Sequence, residues 1–128
     1  MDKPLSSGLK NLFIVHAVAA IIFGLLFLIY PALWVNLAGR IIISNELWRL
    51  LGAAVFTFGV SSWLGFKAKS WESVRIVVLM EGVWCTLATV ILLYYLIRWQ
   101  FPTLYWANTV IFAGFALAFV YFYIKNKE

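Results

Sequence analysis

Charge is what this chain lacks most: 12% of its residues are Asp, Glu, Lys or Arg and 65% are hydrophobic, where globular domains carry about 25% and about 45–50%. That deficit excludes an ordinary water-soluble domain, and the mean hydropathy of +0.96 says the same. A single cysteine, Cys85, excludes an intrachain disulfide and any CxxC metal or redox motif. A single histidine, His16, excludes bis-histidine haem ligation within one chain. GxSxG, HExxH, Walker and helix-opening GxGxxG motifs are missing, as is any metal-spaced Cys/His cluster. Their absence turns the reading away from an enzyme, and nothing names a cofactor. The formal charge of +5 comes from ten Lys and Arg residues that stand at the ends of apolar runs and build no basic face. Nucleic acid is therefore not the expected partner; the lipid bilayer is.

What the chain does have is four apolar segments, at about 12–30, 47–66, 74–97 and 103–124. Each is long enough to cross a hydrocarbon core of about 30 Å at 1.5 Å per residue. The 128 residues thus read as one all-α integral membrane domain, a four-transmembrane-helix up-down bundle. The first run follows Lys3 and Lys10 as a signal sequence would, but its length of about 20 residues reads as a retained span. Pro31 ends it. Residues 32–46 form the one sizeable connection, an interfacial segment with room for a helical turn, and Asn45 is the expected cap of the second span.

Lys3, Lys10, Lys67, Lys69, Arg75, Lys125 and Lys127 fall on one side, and Arg40, Arg49 and Arg98 on the other. The positive-inside rule then places both termini in the cytoplasm. Tyr30, Trp34, Trp48, Tyr94, Tyr95, Trp99, Tyr105 and Trp106 read as an outer aromatic belt, and Trp71, Tyr121 and Tyr123 as an inner one. Glu46 with Arg49, and Arg75 with Glu72, read as solvated interface anchors rather than as a ligand clamp.

Glu81 breaks the apolar pattern. An ionisable side chain at mid-bilayer costs roughly 2.5–3.5 kcal/mol or more, so it needs a partner or a task. Lys10 to His16, Arg75 to Glu81 and Ser61 to Lys67 are each six residues, roughly 9 Å of helix from the same boundary. Three helices therefore bring His16, Ser61 with its neighbour Ser62, and Glu81 to one layer. His16, Ala20 and Gly24 recur every four residues as a narrow packing stripe, Gly52 and Gly59 offer another, and Gly114 with Ala118 a third. Glu81, Cys85 and Ala88 share a face, with Trp84 beside them.

Two readings stay open for this layer. In one, Glu81 is a protonated carboxyl that ties helices together, His16 satisfies Ser61 or Glu81, and Cys85 is an inert packing residue. In the other, His16, Ser61, Glu81 and Trp84 line a site. The stretch from Glu46-Leu47-Trp48-Arg49 to Gly52, then Phe58-Gly59, after a first span ending in Tyr30-Pro31, resembles small four-span prokaryotic membrane proteins of the DoxX-like or DUF4345-like kind. The resemblance implies a four-helix bundle in a prokaryotic plasma membrane and assigns no activity. Three functions are carried forward: a bundle binding a lipid, quinone or other hydrophobic ligand, an accessory subunit of a larger membrane complex, and a proton-coupled carrier, presumed homo-oligomeric, that uses Glu81.

Overall fold

The computed structural model describes residues 3–39, 44–99 and 102–127. Arg40 and the Trp99 side chain, both used in reading the sequence, lie outside what is described. Among the described residues five helices follow one another: α1 Ser7–Ile29, α2 Pro31–Leu37, α3 Asn45–Lys67, α4 Trp71–Trp99 and α5 Thr103–Lys127. Among the described residues there is no strand, only an isolated bridge between Pro4 and Ser70. Four of the helices, α1, α3, α4 and α5, are long and apolar enough to cross a membrane. Their outward faces carry bulky apolar groups such as Ile22, Leu25, Leu79, Val90 and Leu117, all exposed, which suits lipid and not water.

Local chemistry sets the boundaries. The Ser6 side chain accepts the Leu9 N–H at 3.3 Å and opens α1. Pro31 stands at the first turn of α2, where its missing N–H costs nothing. Gly39, at φ 66°, follows α2 in the left-handed conformation that ends helices. Ser44, not Asn45, caps α3: its hydroxyl oxygen accepts the Leu47 N–H at 3.3 Å and its hydrogen goes to Glu46 Oε2 at 2.9 Å. Asn45 is already helical because Ser44 takes the extended backbone that a cap needs. Lys3 is tied down as well, since the Trp71 N–H donates to its carbonyl at 2.8 Å.

The bundle is two antiparallel pairs. In the first, α1 lies against α3 so closely that a methyl group at Gly24 would sit 2.6 Å from the Phe56 nitrogen, and one at Gly52 would sit 2.6 Å from the Leu28 nitrogen. Only glycine fits either point. In the second, α4 lies against α5, with Gly82 facing Phe119 and the rings of Trp71 and Tyr123 6.1 Å apart. The expected seam on α5 is not where the helix packs. Gly114 is exposed with nothing within 4 Å, while Ala116 and Phe119 turn inward. In a membrane both faces of such a helix are apolar, so small residues alone do not say which face meets protein.

The pairs join firmly at one end only. Leu9 and Phe13 of α1, Trp71, Val74 and Val78 of α4, and Phe119 of α5 form a closed core near the two termini. Towards the other end the pairs part, and a smaller cluster of Ala38, Leu96 and Tyr105 stands there.

Candidate functional site

At the inner limit of that parting lies the polar layer. His16 on α1 is 4% exposed, and Ser62 on α3 and Glu81 on α4 are 0% exposed. The Ser61 and Ser62 hydroxyls donate to Glu81 Oε1 at 2.8 and 2.9 Å, and His16 Nδ1 lies 2.8 Å from Ser62 Oγ. The rings of Phe115 and Phe119 on α5 meet the imidazole edge to face at 4.7 and 5.2 Å. All four long helices thus converge on one imidazole.

Hydrogen counting narrows its state. With the single Ser62 hydrogen given to Glu81 Oε1, the contact with His16 takes Nδ1–H as donor. A neutral imidazole then presents a bare Nε2, which faces Glu81 Oε2 at 3.7 Å. Oε2 is buried and has no hydrogen-bond partner. Two bare acceptors repel, so one proton belongs on Oε2 or on Nε2, and either seat leaves the pair without net charge, as a low-dielectric interior demands. The gap exceeds the 2.7–3.2 Å range of a formed N–H···O bond. Ser61 is a weaker tie, since its single hydrogen is shared between Glu81 and the Phe58 carbonyl at 2.9 Å.

Beyond His16 a cavity of about 390 Å³ opens between the two helix pairs. Its wall is almost wholly apolar and strongly aromatic, with Phe23 and Phe27 from α1, Phe58 from α3 and Phe112 from α5. Trp34 of α2 and Trp48 of α3 line its far end, their rings 5.4 and 5.2 Å from those of Phe23 and Phe27. Trp84 lines the wall and stacks on Phe58 at 5.1 Å and 24°.

The residues named from sequence therefore fall into two places. His16, Ser61 and Glu81 come together in one layer, joined by Ser62, which is its hub. His16 and Trp84 line the cavity, whereas Ser61 and Glu81 stand behind His16 and do not. Trp34 and Tyr105 are buried at 9% exposure and face inward rather than forming a belt with exposed Tyr30, Tyr94, Tyr95 and Trp106. Glu46, Arg49 and Arg75 stand outside the layer and are exposed. No ion pair joins Glu46 to Arg49 among the described residues; Ser44 holds the carboxylate instead. Among those residues, too, no three His, Cys, Asp or Glu side chains gather as a metal site would require. Sequence reasoning missed Asn108, a half-buried amide on the cavity wall, because the run Tyr105-Trp106-Ala107-Asn108-Thr109 has the composition of an interfacial helix end. Comparison with protein-family models, with curated proteins and with solved structures gives no match.

Proposed function

We propose that this protein is a small multi-pass membrane protein that binds a hydrophobic molecule, a lipid, quinone or similar compound, between its two helix pairs. The observation that carries the reading is the 390 Å³ aromatic cavity, at depth within apolar helices, ending on a buried polar layer. Its size falls within the roughly 300–1,000 Å³ of small-molecule sites, which are mostly apolar with a few polar groups. We place it in a prokaryotic plasma membrane, as its likeness to DoxX-like and DUF4345-like proteins implies, with both termini cytoplasmic, as the excess of Lys and Arg on their side suggests.

Native mass spectrometry of protein gently extracted from its own membrane tests this. A retained small molecule is expected, and it should be lost from Ala88→Phe, which fills the cavity from α4, while helicity and melting stay close to wild type. A stoichiometric protein partner with no small molecule would instead support an accessory subunit. A second reading has its own observation, the unpartnered Glu81 Oε2 facing His16 across 3.7 Å. A proton with two alternative seats beside a cavity is what a proton-coupled carrier uses. Substrate-linked proton movement in vesicles that vanishes in Glu81→Gln would establish it, and flux unchanged by that substitution would end it.

A further inference from the structure

Three properties of the cavity restrict what it can hold. The first is charge. Among the described residues no Asp, Glu, Lys or Arg lines it, and His16 has one ring nitrogen bonded to Ser62 and the other facing Glu81. An ionic headgroup drawn inside would lose its hydration and find no counter-charge. The second is size. An apolar cavity of about 150 Å³ takes one benzene, so 390 Å³ has room for one chain or a small ring system and not for the two chains of a membrane phospholipid.

The third is the placement of hydrogen-bonding groups. Asn108 lines the wall, and among the described residues no hydrogen bond uses its amide. None uses the indole N–H of Trp34 or Trp48 either. Asn108 lies one turn from Tyr105, which packs with Leu96 and Leu92, towards the end of the cavity away from the polar layer. Asn108 precedes Phe115, whose ring abuts His16, by seven residues, which is about 10 Å along α5. Between those levels the wall is hydrocarbon and aromatic ring, Trp84 and Phe112 among it. One end of the cavity therefore has donors on its wall that no hydrogen bond uses, whereas at the other the remaining proton lies between His16 and Glu81.

We propose that the cavity holds one uncharged, single-chain lipid, with its oxygen-bearing head at Asn108 and its chain running towards His16. This rests on the binding reading above and sharpens it to a ligand class and an orientation. A hydroxyl, ester or ketone oxygen accepts from the Asn108 amide, and the chain replaces nothing but apolar contacts along α1, α3, α4 and α5.

The probe is a monoacylglycerol brominated at its chain terminus, titrated into protein in nanodiscs of unbrominated phospholipid, with tryptophan fluorescence as readout. Saturable quenching is expected, and Trp84→Phe should remove most of its amplitude, because Trp84 lies at the chain level. Asn108→Ala should weaken binding by about three- to tenfold, the worth of one hydrogen bond. A bromoalkane of equal length should bind wild type more weakly by a similar factor and should not distinguish wild type from Asn108→Ala. That cycle holds even if Asn108→Ala alters packing. Equal saturable binding by the brominated fatty acid anion or by a two-chain lipid overturns the ligand class. Quenching that survives Trp84→Phe intact overturns the orientation. If no probe saturates and no molecule co-purifies, the binding reading itself fails with it; if a molecule co-purifies that is charged or has two chains, only this inference fails.

Discussion

Among the described acidic side chains, Glu81 alone has no exposure, and what surrounds it decides how each neighbour will behave when changed. Ser62 makes two bonds that end on separate helices, one to Glu81 and one to His16. Ser61 makes one such bond and has its own backbone as an alternative. Ser62→Ala should therefore cost about 1–2 kcal/mol by orphaning both partners, whereas Ser61→Ala should cost about 0.5 kcal/mol, near the average for interhelical bonds in membranes. Glu81→Gln should fall within about 1 kcal/mol of wild type, because its oxygen still accepts from the serines and its amide can point at His16. Unfolding by denaturing detergent, followed by circular dichroism, measures all three; equal losses at Ser61 and Ser62 would contradict the hub. The layer itself was legible in the sequence because a helix rises a fixed distance per residue, so equal offsets from charged boundaries put His16, Ser61 and Glu81 at one depth. That Ser62 rather than Ser61 is the hub was not, since neighbours differ by about 100° in direction and only the partner helix selects one.

Helices in this protein are held in pairs by absent side chains as much as by present ones. Gly24 and Gly52 admit no Cβ because backbone atoms of the opposite helix already stand within 3 Å of where it would be. Gly24→Ala or Gly52→Ala must push α1 from α3, at about 1–3 kcal/mol for an overpacked seam. Gly114→Ala meets open space and should stabilise α5 by up to about 1 kcal/mol through helix propensity. Opposite signs in the same detergent titration are the expected result; a loss at Gly114 matching that at Gly24 would mean that α5 packs on that face. The α1 and α3 seams were readable from spacing because polar His16 marks the inward side of α1 and Gly52 and Gly59 repeat over two turns. On α5 no polar residue flanks Gly114 to orient it, and the same spacing pointed outward. Trp34 and Tyr105 were misread for a related reason: an aromatic residue near a span end suits the interface and the rim of a cavity equally, and sequence does not record which way α2 turns after Pro31.

At the scale of the molecule, the parting of the two pairs gives the bundle a closed end and an open end, so its orientation in the membrane determines which leaflet the cavity serves. Both termini, the α3–α4 turn and the core around Phe13 and Phe119 are at the closed end. There Lys67 lies over the Trp63 ring at 5.0 Å and Lys125 over Tyr121 at 5.6 Å, the posture of long cationic side chains that cover apolar surface while reaching for water. Among the described residues Lys3, Lys10, Lys67, Lys69, Arg75, Lys125 and Lys127 gather at this end, against Arg49 and Arg98 at the other, the asymmetry that sets topology. On the proposed reading, with the closed end cytoplasmic, Asn108 and the aromatic far wall of the cavity would sit in the outer half of the bilayer, and the proposed ligand would enter from the outer leaflet. Cysteine labelling of intact cells with a membrane-impermeant maleimide tests this, with buried Cys85 as a built-in silent control. Glu46→Cys should label on intact cells, and Lys69→Cys only after the membrane is opened. The reverse pattern would turn the bundle over and place the wide end of the cavity, and whatever it binds, on the cytoplasmic side.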